Sequence, residues 1–524
     1  MPSYSSLSPP SSEQNAGRSP SQDSHARRRN NTKRGGTAGN ASWGSSVVNL
    51  VNTIVGAGVL AMPHAMGNMG VLLGVIVILW SGLTAGLGLY LQTRCARYLD
   101  RGTASFFALS QMTYPNAAVL FDAAISVKCF GVAVSYLIII GDLMPGVVRG
   151  FAHADQLGSA AFLLDRRFWI TAFMIIVIPL SFLRRLDSLK YTSIIALFAI
   201  AYLVVLVVYH FASGDTRPVR GDIYWLQWQG LIPTLGSFPV IVFAYTCHQN
   251  MFSILNEIRD NSPFRTTGVV LASNGMSASI YVLVAVTGYL SFGSNIIGNI
   301  VAQYRPSVFS TIGRAAIVVL VMFSYPLQIH PCRASVDAVS KWRPKQLRSK
   351  QSSDELTPAS GSPSRSSLLN KKVVIQPKAA EMSELRFAIF TTVIIILSYI
   401  VAMTVSSLDR VLAYVGSTGS TSISFILPGL FYYKISSPDS PHHQRLLKDE
   451  DDEDYDGSSG SEDGSTHSSA NAGNSSWRDS WRQKVRGRQW SRELLRKASL
   501  ALAIYGVLVM VVCLVTNTFF VVAN

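Results

Sequence analysis

Val47-Val48-Asn49-Leu50-Val51-Asn52-Thr53-Ile54-Val55-Gly56-Ala57-Gly58-Val59-Leu60-Ala61-Met62-Pro63-His64 lies in the first apolar stretch of the chain, and its middle is poorly suited to remain helical. Gly56-Ala57-Gly58 sits there, with polar Asn49, Asn52 and Thr53 one or two turns earlier. Glycine weakens a helix by about 1 kcal/mol relative to alanine and lets a ligand approach the backbone closely. Inside a bilayer, non-helical backbone survives only where protein or a water-filled cavity covers it. A break here therefore implies a site; the competing reading is a Gly-x-Gly face for helix packing.

A second interrupted run decides between them. Pro233-Thr234-Leu235-Gly236-Ser237-Phe238-Pro239-Val240-Ile241-Val242-Phe243-Ala244-Tyr245-Thr246-Cys247-His248-Gln249-Asn250 carries two prolines and a glycine in its first half and a polar cluster, Tyr245 to Asn250, in its second. Eleven apolar stretches can be marked, at 46–67, 70–92, 117–141, 168–183, 191–212, 231–254, 268–292, 308–330, 387–407, 411–433 and 498–521. The interrupted ones are the first and the sixth. Spans one to five and six to ten thus read as two inverted five-helix halves, followed by one extra helix. Interrupted helices at matching places in two halves mark a transporter's midplane site. Half-helix N-termini offer N–H groups and a positive dipole end to a carboxylate, while freed carbonyls accept an ammonium or a cation. An amino acid zwitterion fits that arrangement.

Composition agrees. Of 524 residues, 48% are hydrophobic and only 14% charged, against roughly 25% charged in a soluble protein. The eleven stretches hold 248 residues, yet Asp122, Lys128 and Arg314 are their only charged ones. Most reach the roughly 20 apolar residues that cross a bilayer; 168–183 is the shortest. The chain reads as an all-α polytopic membrane protein of eleven transmembrane helices, which excludes a soluble or nucleic-acid-binding globule. Cys95, Cys129, Cys247, Cys332 and Cys513 lie in or beside the spans with no pair in a loop, so no disulfide or metal framework is suggested.

The net charge of +15 is a topology signal. With an odd number of spans, 36 Lys and Arg fall on the side of the N-terminus, 7 on the other and 2 within spans. That places the N-terminus in the cytosol. Residues 1–44 form a polar, Ser-rich and basic tail with no cleavable signal peptide. Residues 45–433 form the ten-helix core, interrupted by a polar loop at 341–384; 434–497 is an acidic, then basic, loop; 498–524 is the eleventh helix with a short C-terminus. Both loops and the tail are expected to be disordered. The stretch Arg478 to Lys497, interleaved with Trp477, Trp481 and Trp490, sets topology or lies on the cytosolic leaflet.

The sequence resembles the amino acid/auxin permease family. The resemblance is carried by Asn49 to Pro63 in the first span and by Phe130-Gly131-Val132-Ala133-Val134-Ser135-Tyr136-Leu137-Ile138-Ile139-Ile140-Gly141-Asp142 in the third. Phe243 to Asn250 in the sixth and Ser324-Tyr325-Pro326-Leu327-Gln328 in the eighth add to it. It covers all eleven spans and is most like the fungal vacuolar amino acid transporters, with the sodium-coupled neutral amino acid transporters close by. The resemblance implies a LeuT-like fold and secondary active amino acid transport. It also implies that Asn52 and Ser324 stand where sodium-coupled relatives hold their ion, whereas the vacuolar branch uses protons.

Single residues carry competing readings. Thr53, Gly56, Ala57, Gly58, Tyr136, Tyr245 and Thr246 are the substrate-binding candidates, and Asn52, Ser324, His248 and Lys128 the candidates for cation or proton coupling. His248 could titrate between a neutral cytosol and an acidic lumen or be a satisfied core histidine; His64 and His210, near span ends, read as structural. Lys128 costs about 2.5–3.5 kcal/mol at the centre of a span, and such residues face a cavity. Asp122, six residues earlier, lies about 240° round the helix and is no direct partner. Beyond a transported proton or sodium, no cofactor or metal is implied. Expected partners are an amino acid, the lipid bilayer and regulatory proteins at the cytosolic tails, with the chain a monomer. The expected activity is proton-coupled export across the vacuolar membrane; the rivals are a plasma-membrane sodium symporter and an amino acid sensor. No catalytic cluster stands in the spans, which argues against an enzyme.

Overall fold

The computed structural model describes residues 39–151, 158–183, 192–341, 382–448 and 473–521. The disorder expected of the tail and loops therefore falls largely outside the described residues. Among those described, helices carry the whole architecture, with one isolated parallel bridge between Ala41 and Ile258.

The first span is two helices, α1 (Trp43–Ile54) and α2 (Gly58–Gly67), bent by 55°. They are followed by α3 (Val71–Ala96), a short surface helix α4 (Phe106–Thr113) and the long α5 (Ala118–Phe151). Next come α6 (Arg166–Ser181) and α7 (Thr192–Ser213). The sixth span divides into α8 (Leu231–Ala244) and α9 (His248–Glu257). Then follow α10 (Pro263–Phe292), a four-residue turn of helix α11 (Ile300–Gln303), α12 (Val308–Lys341) and α13 (Glu384–Thr404). The tenth stretch is α14 (Leu408–Val415), two wide π-type turns over Gly416–Ser420 and Ser422–Ile426, and α15 (Leu427–Ile435). α16 (Gly473–Val515) closes the chain.

Eight of these helices are long and apolar enough to cross a membrane, nine with the bent first pair taken as one span. The chain is a multi-pass membrane protein. The other two expected spans fall on α6, only 16 residues long, and on the divided α14–α15. Two expectations need correction. The region 434–497 is not loop throughout: a short helix occupies 441–448, and α16 begins at Gly473, running the basic stretch straight into the last span. The third span is also longer than its apolar stretch and ends at Phe151.

Local signals explain the boundaries. Ser42, Ser105 and Asp165 each accept a backbone N–H in the first turn of α1, α4 and α6, satisfying a donor that has no helical partner. Asp260 accepts the Ser262 N–H at 3.0 Å, and that bond holds its carboxyl below the usual carboxylate range. Pro263 follows at the first position of α10, where no N–H is needed. Gly230 enters α8 at φ 108°, a conformation open to glycine and strained for other residues.

The core gathers around the broken helices. Leu50, Ile54, Leu60 and Met62 of the first span are at most 2% exposed, as are Leu137 to Ile140 of α5. α5 packs along α12, and α10 crosses both halves of the first span and leans on α3. α5 is the most enclosed of the long helices, while α13 and α16 turn Ile396, Ile400, Leu508 and Val511 outward toward lipid.

Candidate functional site

The two breaks meet at one point. A Cβ on Gly58 would come within 2.5 Å of the Ala244 Cβ, so the start of α2 and the end of α8 touch almost backbone to backbone. From α10, the fully buried Tyr281 hydroxyl reaches both break carbonyls, Ile54 O at 2.7 Å and Ala244 O at 2.8 Å. One side chain thus answers the carbonyl problem that each interrupted helix creates. Nothing in the sequence marks Tyr281 for this; its neighbours on α10 carry many hydroxyls of equal standing.

A cavity opens beside the crossing. It is lined by Thr53, Ile54, Gly56, Ala57 and Gly58 of the first span, Lys128, Val132 and Tyr136 of α5, Phe243, Ala244, Thr246 and Gln249 of the sixth, and Gln328 of α12. Gly56 faces open space, with nothing within 4 Å of where a Cβ would stand. The cavity measures about 30 Å³, far below the roughly 300 Å³ at which ligand pockets begin. It must widen to accept an amino acid.

Polar contacts tie helix ends and loops together at two places away from it. On the N-terminal face, the Ala41 N–H donates to Glu257 O and the Arg259 N–H to Ala41 O, each at 2.9 Å. Asn256 clamps Ala104 through its amide, at 3.0 and 2.8 Å, and the Arg101 guanidinium donates to the Ile258 and Arg259 carbonyls. On the opposite face, Arg314 donates to Val301 O, Gly146 O and Tyr304 O. Arg166 there bridges Asp142, at 3.0 Å, and Val405 O.

The cavity brings together Thr53, Gly56, Ala57, Gly58, Lys128, Tyr136 and Thr246 of the residues singled out in the sequence. It leaves out four. Tyr245 turns away: its ring stands edge-on to Tyr281 at 5.0 Å and covers Gly82, with its buried hydroxyl unpartnered. His248 is fully buried behind the break, its Nε2 donating to Ala85 O at 3.1 Å while Nδ1 has no partner. A carbonyl only accepts, so that bond fixes the Nε2-protonated tautomer. Ser324 spends its hydroxyl on Leu320 O at 2.8 Å and lies beside the Tyr136 hydroxyl. Asn52 sits on the α1 wall and does not line the cavity. Gln249 and Gln328 do line it, each with a buried carbonyl oxygen lacking a partner. Both belonged to recognised runs, but an amide carries no charge to draw notice.

Two discontinuous helices crossing at a small polar cavity inside a helical membrane bundle define the class: a transporter of the broken-helix kind. The chain matches the family model described as transmembrane amino acid transporter protein over residues 39–450. It belongs to that family, whose members are transporters and not enzymes. It is similar to vacuolar amino acid transporter 5 of Schizosaccharomyces pombe, 44% identical over 78% of this chain and 90% of the relative. Vacuolar amino acid transporter 6 of Saccharomyces cerevisiae is also 44% identical, over 75% of this chain and 90% of the relative. Among solved structures, MhsT in complex with L-phenylalanine shares the fold, with a TM-score of 0.52 over 91% of this chain and all of that one, at 12% identity.

Proposed function

We propose that this protein is a proton-coupled secondary active transporter that moves amino acids out of the vacuole into the cytosol. The observation that carries this reading is the cavity at the crossing of α2 and α8 in a chain of the amino acid transporter family. The vacuolar membrane is supported by what the two similar fungal proteins are named for. Eleven crossings with a cytosolic N-terminus are the reading that α6 and α14–α15, beside the nine longer spans, and the distribution of basic residues support. A single chain would form the transport unit, and its cytosolic tail and loops would be open to regulatory proteins.

The substrate carboxylate would lie against the first turn of α2, at Gly56 to Gly58, where N–H groups and the positive helix end converge. Thr53, Thr246 and Tyr136 would border the rest of the molecule. Coupling to a proton is favoured over sodium because neither Asn52 nor Ser324, which would hold sodium, lines the cavity. Rocking of the broken spans against the α5–α12 scaffold would expose the cavity to one side at a time.

The test is flux in proteoliposomes of purified protein under a pH gradient and, separately, a sodium gradient. Amino acid accumulation driven by the pH gradient alone is expected. Flux that follows sodium and ignores pH would overturn the coupling, and absence of flux for every amino acid would overturn the function.

A further inference from the structure

Lys128 is the one charged side chain on the cavity wall. It is 3% exposed, and its ammonium makes no hydrogen bond or ion pair among the described residues. The titratable groups that face it are Cys129 and Tyr136 on its own helix and Cys247 and His248 at the sixth-span break. The first span brings only Thr53 and the glycine break, α12 brings Gln328, and the wide turn after α14 brings backbone at Gly419. None of these is a carboxylate. The backbone at Lys128 is fixed in place, since a Cβ on Gly419 would stand 2.7 Å from its amide nitrogen.

A buried ammonium with no anion is costly in low dielectric. It either gives up its proton or is supplied with a negative group. Everything else on the wall is neutral, so the one anion that can reach it is the carboxylate of an arriving amino acid. We propose that Lys128 is the group on which substrate and proton meet: its amine takes up a proton from the acidic side as the substrate carboxylate enters, and returns that proton when the carboxylate leaves to the cytosol. The proton adds to the Nζ lone pair to give an ammonium and comes off again as water enters, with no other bond made or broken. Linkage makes the coupling reciprocal: a carboxylate that favours the charged amine is itself bound more tightly by it, to the same factor. The neutral amides of Gln249 and Gln328 would complete the polar shell without competing for the proton.

The inference rests on the proton-coupled reading above and can fail without it. The experiment compares wild type, Lys128→Arg and Lys128→Gln in proteoliposomes and, as purified protein, in equilibrium binding of a transported amino acid. Arginine stays charged at all working pH. Wild type should bind more tightly as pH falls, by up to about tenfold per unit, and accumulate substrate under a pH gradient. Lys128→Arg should bind with no pH slope and catalyse slowed exchange, but fail to accumulate. Lys128→Gln should bind at least about tenfold more weakly, again without slope. Gradient-driven accumulation by Lys128→Arg, or a wild-type pH slope in Lys128→Gln, overturns the inference while leaving the proton-coupled function standing. Should the larger arginine prevent assembly, as read by size-exclusion chromatography, the slope in Lys128→Gln decides alone. A wild type indifferent to the pH gradient overturns both.

Discussion

Tyr281→Phe removes one oxygen from the centre of the molecule and keeps the ring. That oxygen is the donor shared by Ile54 O and Ala244 O, at 2.7 and 2.8 Å, in a fully buried setting. Hydrogen bonds between membrane helices contribute about 0.6 kcal/mol on average and up to about 1.7, so losing the one O–H that the two carbonyls share should cost about 0.6–1.7 kcal/mol. In thermal unfolding of the detergent-solubilised protein, each kcal/mol should lower the midpoint by roughly 2–4 °C. Transport should fall as well, because the two breaks are then no longer tied to one α10 residue. Tyr245→Phe is the matched control. Its ring stands next to Tyr281, but its buried hydroxyl has no partner, and removing an unsatisfied hydroxyl is neutral or stabilising. Tyr281→Phe should therefore melt below Tyr245→Phe. Equal melting points, or a Tyr281→Phe protein that melts and transports like wild type, would refute the assignment of Tyr281 as the clasp of the two breaks.

Gly58→Ala should abolish transport by driving a methyl to 2.5 Å from the Ala244 Cβ and 2.7 Å from its backbone Cα, and adding Ala244→Gly should not restore flux in the same uptake assay, because that Cα stays. Gly56→Ala meets nothing within 4 Å, so that variant should fold normally and show its effect as a raised KM. Arg314→Gln loses charged donors to Gly146, Val301 and Tyr304 at once; at about 1.5–3 kcal/mol for each such bond, it should melt several degrees lower. Asn256→Ala breaks both bonds to Ala104, and hydrogen exchange at residues 100–105 should accelerate while exchange in α5 stays unchanged.

How far the sequence could be read depended on what each feature costs in a membrane. The first-span break was legible because two glycines flank Ala57, and the helix does stop at Ile54 and restart at Gly58. In the sixth span the prolines are the louder signal, yet α8 runs through both Pro233 and Pro239 and stops only after Ala244. Pro233 lies in the first turn, where helical N–H groups have no partner to lose. Polar Tyr245-Thr246-Cys247 marks the real interruption, and there the side chains no longer follow a helical period. Thr246 points into the cavity while its neighbour Tyr245 faces Gly82 and Tyr281. Direction at broken backbone is set by three-dimensional packing, which is why Tyr245, adjacent to Thr246, lies off the cavity.

The residues of the site divide in the same way. Lys128 was conspicuous because a charge is expensive in apolar stretches that hold only three among 248 residues. Gln249, Gln328 and Tyr281 were not, because neutral polar groups are cheap enough in a helix bundle to occur for many reasons. Yet the neutral groups make the charge usable. Tyr281 satisfies the two break carbonyls by binding them itself, and the amides offer polarity without a fixed counter-ion. A carboxylate in place of either amide would pair permanently with the ammonium and leave nothing for the substrate to complete. In the proposed coupling, the neutrality of that wall, as much as the charge of Lys128, would leave room for an amino acid and a proton to enter together.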